Sequence, residues 1–269
     1  QKGMDNLDNP DYEFTRPAIK YLTETRRLTN WPLNLPVGVI PPEHLIDNII
    51  DITIEEKHAL IQFMAPIQDV NFIGQLVFTY RYSLDHIASF RIRTIKDALG
   101  EETEGASRAK NIFILEDREV KKHHNHPAVF GLEYFSDMVG STDIAYLVEG
   151  EFDYLSIVTN MVENGVDRRI FLGIGGNSSN LEFNYLKEQF DIHRVMLLMD
   201  APQANGDELA YGILKNFQGE IQPYIFNWKA FTGTGKDPDE VIQHHIDEYH
   251  YMMQTFLSPK NYLNEEEFL

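Results

Sequence analysis

The sequence contains no cysteine, few basic residues for its acidic content, and no long apolar run. Without cysteine, the chain can form neither a disulfide nor a cysteine-ligated zinc site. No apolar stretch is long enough to span a bilayer. Residues 1–4 are too short and polar for a secretory signal. We therefore expect no membrane association, no zinc in this chain, and an intracellular, cytoplasmic location.

The charge balance is strongly acidic. The 269 residues include 42 Asp and Glu against 23 Lys and Arg, which gives a net charge of -19. Nucleic-acid-binding proteins normally carry a basic surface. The chain as a whole would repel a phosphate backbone, and this counts against tight binding of DNA by this chain alone. Its length and its hydrophobic content of 43% indicate a folded protein of one large or two modest domains.

Strand and helix patterns alternate along the second half of the chain. Strands are predicted at 143–148, 169–172, 194–199 and 222–228, with helices at 152–163, 181–190 and 207–217. This order predicts a mostly parallel sheet covered by helices on both faces. The first half predicts a mixed α/β subdomain with strands at 59–64, 75–82, 89–94 and 111–115. We predict boundaries that give an N-terminal subdomain at 1–140, the parallel domain at 141–228, and a helical segment at 229–269.

Acidic residues stand at the ends of predicted strands in the second half. Glu149 and Asp200 each follow an apolar run, and Asp237 and Asp239 flank a proline further on. An open parallel sheet collects its functional groups at the carboxyl ends of its strands. Carboxylates that converge there repel one another, and a hard divalent ion with oxygen ligands is the simplest group to hold them. Helix capping and turn formation are the structural alternatives for each of these residues.

Three segments that contain these acidic residues resemble sequence motifs of one protein family. Residues 149–153 (Glu-Gly-Glu-Phe-Asp) resemble the first motif of the TOPRIM domain of bacterial primases, topoisomerases and some nucleases. Residues 200–204 (Asp-Ala-Pro-Gln-Ala) resemble its Asp-x-Asp-x-Ala-Gly motif. Residues 236–241 (Lys-Asp-Pro-Asp-Glu-Val) are similar to a segment more particular to DnaG-type primases.

The resemblance extends upstream, where residues 63–67, 74–77 and 126–132 are similar to parts of the primase core. In all, residues 15–245 follow a primase catalytic core in order. The resemblance implies a TOPRIM-type, mostly parallel sheet flanked by helices, preceded by a mixed α/β subdomain and followed by a helical tail. It also implies a primase that makes short RNA primers on a single-stranded DNA template from ribonucleotides.

The resemblance assigns roles to individual residues. Glu149 and Asp200 are the expected catalytic residues, and Mg²⁺ (or Mn²⁺) is the expected cofactor. The expected metal ligands are Glu149, Asp153, Asp200, Asp237 and Asp239. The candidate contacts to nucleic acid or nucleotide are Arg91, Arg93, Lys121, Lys122, Gly150 and Gly173. Glu151 lies outside the matched motif, and we expect it to be solvated.

The sequence also departs from the family pattern. The second aspartate of the Asp-x-Asp motif falls at Pro202 and its glycine at Asn205, while Asp207 is near enough to substitute for the lost carboxylate. The cysteine-containing zinc module usual in primases is absent, so we expect an excised core, a partner-dependent core, or a member that dispenses with the module. A helicase or a separate zinc-binding or DNA-binding module is a candidate partner, and the acidity favours a phage or mobile-element version.

Two other functions remain open at this point. A TOPRIM nuclease would use similar carboxylates to cut phosphodiester bonds. A degenerate TOPRIM protein would bind partners without catalysis, which Pro202 and the net charge favour.

Overall fold

The computed structural model describes about three fifths of the chain. The described residues are 10–28, 37–42, 45, 73–83, 86–95, 109–113, 129–132, 134, 142–163, 170–175, 184–204, 206–216, 220–231 and 233–268. The strand predicted at 59–64 and the basic pair Lys121 and Lys122 lie outside these residues. None of the described helices is long and apolar enough to cross a membrane.

The chain divides into two compact units, the first comprising Gln1–Thr79 and Ala88–Glu116 and the second Tyr80–Ile87 and Asp117–Leu269. The domain boundaries inferred from the sequence remain predictions. The first unit begins with a 3₁₀ helix at Pro10–Thr15, which leads into α1 (Arg16–Lys20) and a π-helical turn at Tyr21–Thr25.

Antiparallel strand pairs follow in the part of the first unit that the structure describes. Its strands are β1 (Val37–Val39), β2 (Leu76–Ser83, whose last residues belong to the second unit), β3 (His86–Arg93, whose first residues do) and β4 (Ala109–Phe113). β1 pairs with β2, and β3 pairs with β4. On β3, Ile92 is buried while Arg91 and Arg93 are half-buried. This alternation follows from the two-residue period of a strand, so both arginines share one face.

A mostly parallel sheet forms the centre of the second unit. Its strands are β5 (Val129–Phe130), β6 (Ile144–Val148), β7 (Ile170–Gly173), β8 (Arg194–Leu198), β9 (Gln222–Phe226) and β10 (Tyr262–Leu263). The order β9-β8-β6-β7 is parallel throughout. β10 and β5 flank it as antiparallel strands, and β5 also pairs with the end of β2 at Tyr80 and Arg81. The fold class predicted from the sequence is confirmed.

Helices connect and cover the parallel strands. They are α2 (Glu151–Glu163), α3 (Asn184–Phe190), α4 (Gly206–Asn216), α5 (Pro238–His244), α6 (Tyr249–Leu257) and α7 (Glu265–Phe268). α2, α3 and α4 connect successive parallel strands, and the right-handed crossovers usual for such connections predict α2 on one face of the sheet and α3 and α4 on the other. Strands β6 and β7 are buried along their whole length, as expected for parallel strands covered on both faces.

The C-terminal segment packs onto the sheet through aromatic side chains. Phe226 at the end of β9 makes edge-to-face contacts with Trp228, Phe256 and Tyr262. The Trp228 indole also donates a hydrogen bond to the carbonyl of Met199, at 3.1 Å. The residues beyond β9 therefore belong to the same core as the parallel strands.

Two glycines of α4 differ in their surroundings. A Cβ at Gly206 would overlap the carbonyl oxygen of Asp200, whereas a Cβ at Gly212 would meet nothing within 4 Å. We expect Gly206→Ala to lower the free energy of unfolding by about 2 kcal/mol, because backbone must shift to admit the methyl group. The matched control Gly212→Ala should raise it by up to about 1 kcal/mol through helix propensity. Urea unfolding of both variants tests this prediction. Equal changes in the free energy of unfolding would contradict the close approach of Gly206 to the Asp200 carbonyl.

Candidate metal centre

The parallel strand order creates a switch point between β6 and β8. The chain leaves β6 for β7 on one side and later returns to β8 on the other. Glu149 directly follows β6, and Asp200 follows β8 with one residue between them. Because β6 and β8 are parallel neighbours, both acidic residues emerge at the same edge of the sheet. This is the crevice where open α/β sheets place their functional groups.

Three aspartates meet at this edge. One carboxylate oxygen from each of Asp153, Asp200 and Asp237 lies within 4.8 Å of the others. Asp153 is buried, while Asp200 and Asp237 are half-buried. They come from the first turn of α2, the end of β8 and the residue before α5. We call these three residues the aspartate cluster.

Backbone amides hold the Asp153 carboxylate at both oxygens. The Gly150 N–H donates to Oδ2 at 2.9 Å, and the Asp239 N–H donates to Oδ1 at 3.1 Å. A side chain at Gly150 would crowd this arrangement, because its Cβ would lie 2.9 Å from Oδ2. Gly150 therefore permits a close approach of its own backbone to Asp153.

The backbone at Asp200 is fixed by two neighbouring segments. The Ala201 N–H donates to the carbonyl of Lys236 at 2.6 Å, which joins the end of β8 to the residue before Asp237. On the other side, the first residue of α4, Gly206, packs directly on the Asp200 carbonyl. Two segments that carry members of the aspartate cluster, Asp200 and Asp237, are thus connected through one backbone hydrogen bond.

Asp237 is the N-cap of α5. Its Oδ1 accepts a hydrogen bond from the Glu240 N–H at 2.7 Å, and Pro238 occupies the first helical position. Glu240 in turn accepts from the Lys236 N–H at 2.7 Å. This reciprocal pattern resembles a capping box and sets the direction from which Asp237 enters the cluster. Capping and cluster membership are compatible here, since a carboxylate has two oxygens.

Residues 146–242 match a family model described as Toprim-like. The matched residues include the whole aspartate cluster. This part of the chain is therefore similar to a Toprim-like domain. A comparison with curated protein sequences gives no match.

Solved primase structures share the fold. The DnaG primase catalytic domain bound to single-stranded DNA matches with a TM-score of 0.58 at 15% identity, over 98% of this chain and 78% of that one. The E. coli primase catalytic core matches with a TM-score of 0.58 at 16% identity and the same coverage. The zinc-binding and RNA polymerase domains of the Aquifex aeolicus primase match with a TM-score of 0.55 at 18% identity, over 88% of this chain.

This chain spans 55% of the length of the Aquifex aeolicus protein. At these identities the comparisons establish the fold, which is that of a DnaG-type primase catalytic core with its Toprim-like domain. Activity, substrates and partners are matters for a proposal.

Negative charge accumulates in the Toprim-like domain around the aspartate cluster. Burial, followed by the charges of Asp237 and Asp200, raises the pKa of Asp153 well above its ordinary value. Burial and the charges of Glu149 and Asp237 raise the pKa of Asp200 to about 7, although Lys236 opposes the shift. Burial also raises the pKa of Asp237 and, with the charge of Asp237, that of Glu149. The cluster therefore needs protons or a cation.

The donor set fits a hard divalent cation. All three groups of the cluster are carboxylates, and Mg²⁺ and Mn²⁺ favour oxygen ligands of this kind. The cation of Lys236 lowers the pKa of Asp200 but leaves it near 7, so it does not neutralise the cluster. Asp153, Asp200 and Asp237 are the residues that would hold the ion.

The other predicted ligands lie beside the cluster. Glu149 is half-buried and close enough to Asp200 to raise its pKa, but it falls outside the group of three. Asp239 is buried, and its Oδ1 accepts hydrogen bonds from Ser156 and Gln243. Their roles as ligands remain predictions.

The predicted contacts to nucleotide or nucleic acid are distributed over the chain. Gly173 ends β7, where a Cβ would lie 3.6 Å from the Gly150 carbonyl oxygen. Arg91 and Arg93 lie on β3 in the first unit. Their binding roles remain predictions.

Sequence reasoning missed two features near the site. Glu151 was expected to be solvated, which is wrong: it is fully buried and accepts a hydrogen bond from the Tyr80 hydroxyl at 2.6 Å. The motif glycine was placed at Asn205, yet the glycine that packs on Asp200 is Gly206. A glycine directly before a predicted helix, as at Gly206, could have indicated a close approach of the backbone. The burial of Glu151 could not be predicted in this way, because its partner Tyr80 is 71 residues away in the sequence. Pro202 is exposed in a 3₁₀ turn, Pro202–Ala204.

The raised carboxylate pKa values predict that the metal-free protein loses stability as pH rises. The folded state holds its proton on Asp200 up to about pH 7, whereas the ordinary pKa is 3.8. The unfolded chain therefore binds fewer protons across this window, and the free energy of unfolding falls between about pH 4 and pH 7. The full shift corresponds to about 4 kcal/mol, and solvent screening at this half-exposed position reduces the expected effect to about 1–2 kcal/mol.

Thermal unfolding in chelator from pH 4 to pH 7.5, compared between wild type and Asp200→Asn, measures this contribution. The melting temperature of Asp200→Asn should fall less with rising pH than that of the wild type. Added Mg²⁺ should raise the melting temperature of the wild type at pH 7. If the melting temperatures of both proteins fell equally with rising pH, the loss of stability could not be assigned to ionisation of Asp200.

Proposed function

We propose that this chain is a primase-like catalytic core that joins ribonucleotides on a single-stranded DNA template, with Mg²⁺ (or Mn²⁺) as cofactor. The observation that carries the proposal is the aspartate cluster, with its oxygens within 4.8 Å of one another, in a Toprim-like domain of a primase-core fold. One structure with this fold has single-stranded DNA bound. A cluster of carboxylates alone would support only metal-dependent phosphate chemistry, and the fold adds the substrate class.

The reaction joins the 3′-hydroxyl oxygen of one nucleotide to the α-phosphorus of the next. The bond from that phosphorus to the bridging oxygen breaks, and pyrophosphate leaves. When bound, the divalent ion would supply electrostatic stabilisation of the attacking and leaving oxygens. Asp153, Asp200 and Asp237 would hold it at the mouth of the crevice.

Two residues beside the cluster suit supporting roles. Glu149 is half-buried at the end of β6, and its position next to Asp200 and Asp237 suits it to accept the proton of the attacking hydroxyl. Lys236 is exposed and directly precedes Asp237, where a cation can contact the phosphates of the incoming nucleotide.

Template binding is expected to be weak in this chain by itself. A net charge of -19 opposes a phosphate backbone, and local cations such as Arg91 and Arg93 offset only part of it. We therefore propose that a helicase or a separate zinc-binding or DNA-binding module supplies affinity for the template. The cytoplasmic location and phage or mobile-element origin remain predictions.

Pro202 favours a second candidate, a Toprim-like protein without catalysis. Proline offers no side-chain carboxylate where the family resemblance expects an aspartate, and it lies exposed in the Pro202–Ala204 turn. The aspartate cluster has one carboxylate from each of three segments, so the 200–204 segment contributes Asp200 alone. The two candidates differ in whether the ion supports chemistry.

Metal binding tests the first step of the proposal. We expect wild type to bind Mn²⁺, and Asp200→Asn to weaken the affinity by at least about tenfold, because a charged ligand is lost. Glu149→Gln should weaken it less, since Glu149 lies outside the group of three. Asp247→Asn and Glu188→Gln are matched controls at exposed carboxylates, and their affinities should equal that of wild type. An absence of wild-type binding at millimolar Mn²⁺ would contradict a metal enzyme.

Templated incorporation of ribonucleotides, measured beside DNA cleavage on the same strand, tests the second step. The wild type should incorporate ribonucleotides on the template. Both Asp200→Asn and Glu149→Gln should lower the rate of incorporation at least about a hundredfold. Cleavage without incorporation would indicate a nuclease. Metal binding without either activity, in the presence of a supplied DNA-binding module, would indicate the non-catalytic protein.

A further inference from the structure

We propose that Asp239 is a positioning residue for Asp153 and not a ligand of the metal. The inference rests on the metal site of the proposed function and refines it. Asp239 is only 5% exposed, and within the part of the chain that the structure describes it falls outside the group of carboxylates close enough to share an ion.

The side chain of Asp239 is engaged between two helices. Its Oδ1 accepts a hydrogen bond from the hydroxyl of Ser156 on α2 and another, at 2.7 Å, from the amide of Gln243 on α5. Ser156 is itself buried. Donors of this kind stabilise a buried carboxylate without a cation.

The same two helices are joined by a second hydrogen bond of opposite direction. The backbone N–H of Asp239 donates to Oδ1 of Asp153 on α2 at 3.1 Å. This amide lies in the first turn of α5, where backbone donors have no partner within the helix. Since Asp153 and Ser156 are three residues apart, they share one face of α2. We call Asp153, Ser156, Asp239 and Gln243 the interhelical clamp.

The clamp fixes the orientation of a predicted ligand. Asp153 also accepts from the Gly150 N–H, so one hydrogen bond reaches each of its oxygens. If the hydrogen bond between Ser156 and the Asp239 side chain were lost, α5 could move away from α2. The Asp239 N–H would move with α5 and would no longer hold Asp153 Oδ1. Asp237, by contrast, stands in extended backbone as the N-cap of α5 and directs its carboxylate into the cluster. The two aspartates of Asp-Pro-Asp thus have different roles.

Asparagine and alanine at position 239 separate a positioning residue from a ligand. Asp239→Asn keeps an Oδ1 that accepts both hydrogen bonds but removes the negative charge, so we expect its Kd for Mn²⁺ to stay within about threefold of wild type. Asp237→Asn should raise the Kd at least about tenfold. Asp239→Ala removes the acceptor of both bonds and should raise the Kd about tenfold, as outer residues of metal sites do. Ser156→Ala should raise it severalfold, although serine carries no charge.

A control on α2 separates positioning from loss of stability. Thr159 is buried and donates to the Leu155 carbonyl at 2.6 Å, outside the clamp. Thr159→Ala should lower the melting temperature by a few degrees, as Ser156→Ala does, and should leave the Kd for Mn²⁺ unchanged. Binding is measured by electron paramagnetic resonance of Mn²⁺ on the folded proteins, well below their melting temperatures.

Three results would overturn the inference. In the first, Asp239→Asn loses Mn²⁺ as severely as Asp237→Asn, which would make Asp239 a ligand. In the second, Asp239→Ala and Ser156→Ala keep the wild-type Kd as Thr159→Ala does, which would leave the clamp without influence on the site. In the third, the wild type binds no Mn²⁺. Because Mn²⁺ alone is the probe, a protein that binds it as expected but incorporates no ribonucleotide in the presence of a supplied DNA-binding module would refute the proposed function and support the clamp.

Discussion

Repulsion among carboxylates at the carboxyl ends of β6 and β8 is the constraint on which the second unit depends. Burial and the charges of neighbouring carboxylates raise the pKa of every member of the aspartate cluster, so the folded chain brings acidic groups together where their negative charge is costly. The surrounding structure resists this repulsion through backbone contacts, from the amides on Asp153 to the hydrogen bond between Ala201 and Lys236. The fold therefore holds three carboxylates in an arrangement that a divalent cation would suit.

Much of the fold could be predicted from the sequence because its signals are local. Apolar runs such as residues 194–198 and the capping residue Asp237 mark strands and helices independently of their neighbours. The convergence of Asp200 with Glu149 followed from a rule about parallel sheets and needed no contact information. The antiparallel strand β10 was not anticipated, because two residues give no measurable period.

The parts of the site that escaped prediction depend on contacts between distant segments. Glu151 is buried because a tyrosine far along the chain donates to it, and its sequence neighbours contain no sign of that partner. Asp239 and Asp237 look equivalent in sequence, yet Ser156 on another helix draws one of them into a hydrogen-bonded pair. Local pattern identifies which residue types collect at the edge of the sheet, and tertiary packing determines what each carboxylate contacts.

The strand β10 has a consequence for the exposed edge of the parallel sheet. β9 would otherwise end the parallel sheet with a row of open backbone donors and acceptors, which invites pairing with another molecule. Tyr262 and Leu263 occupy that row antiparallel to Phe226 and Ile225, and the Asn227 N–H bonds to the Asn261 carbonyl at 2.8 Å. The segment after α6 thus pairs with the last two residues of β9 and shortens the open edge of the outermost parallel strand.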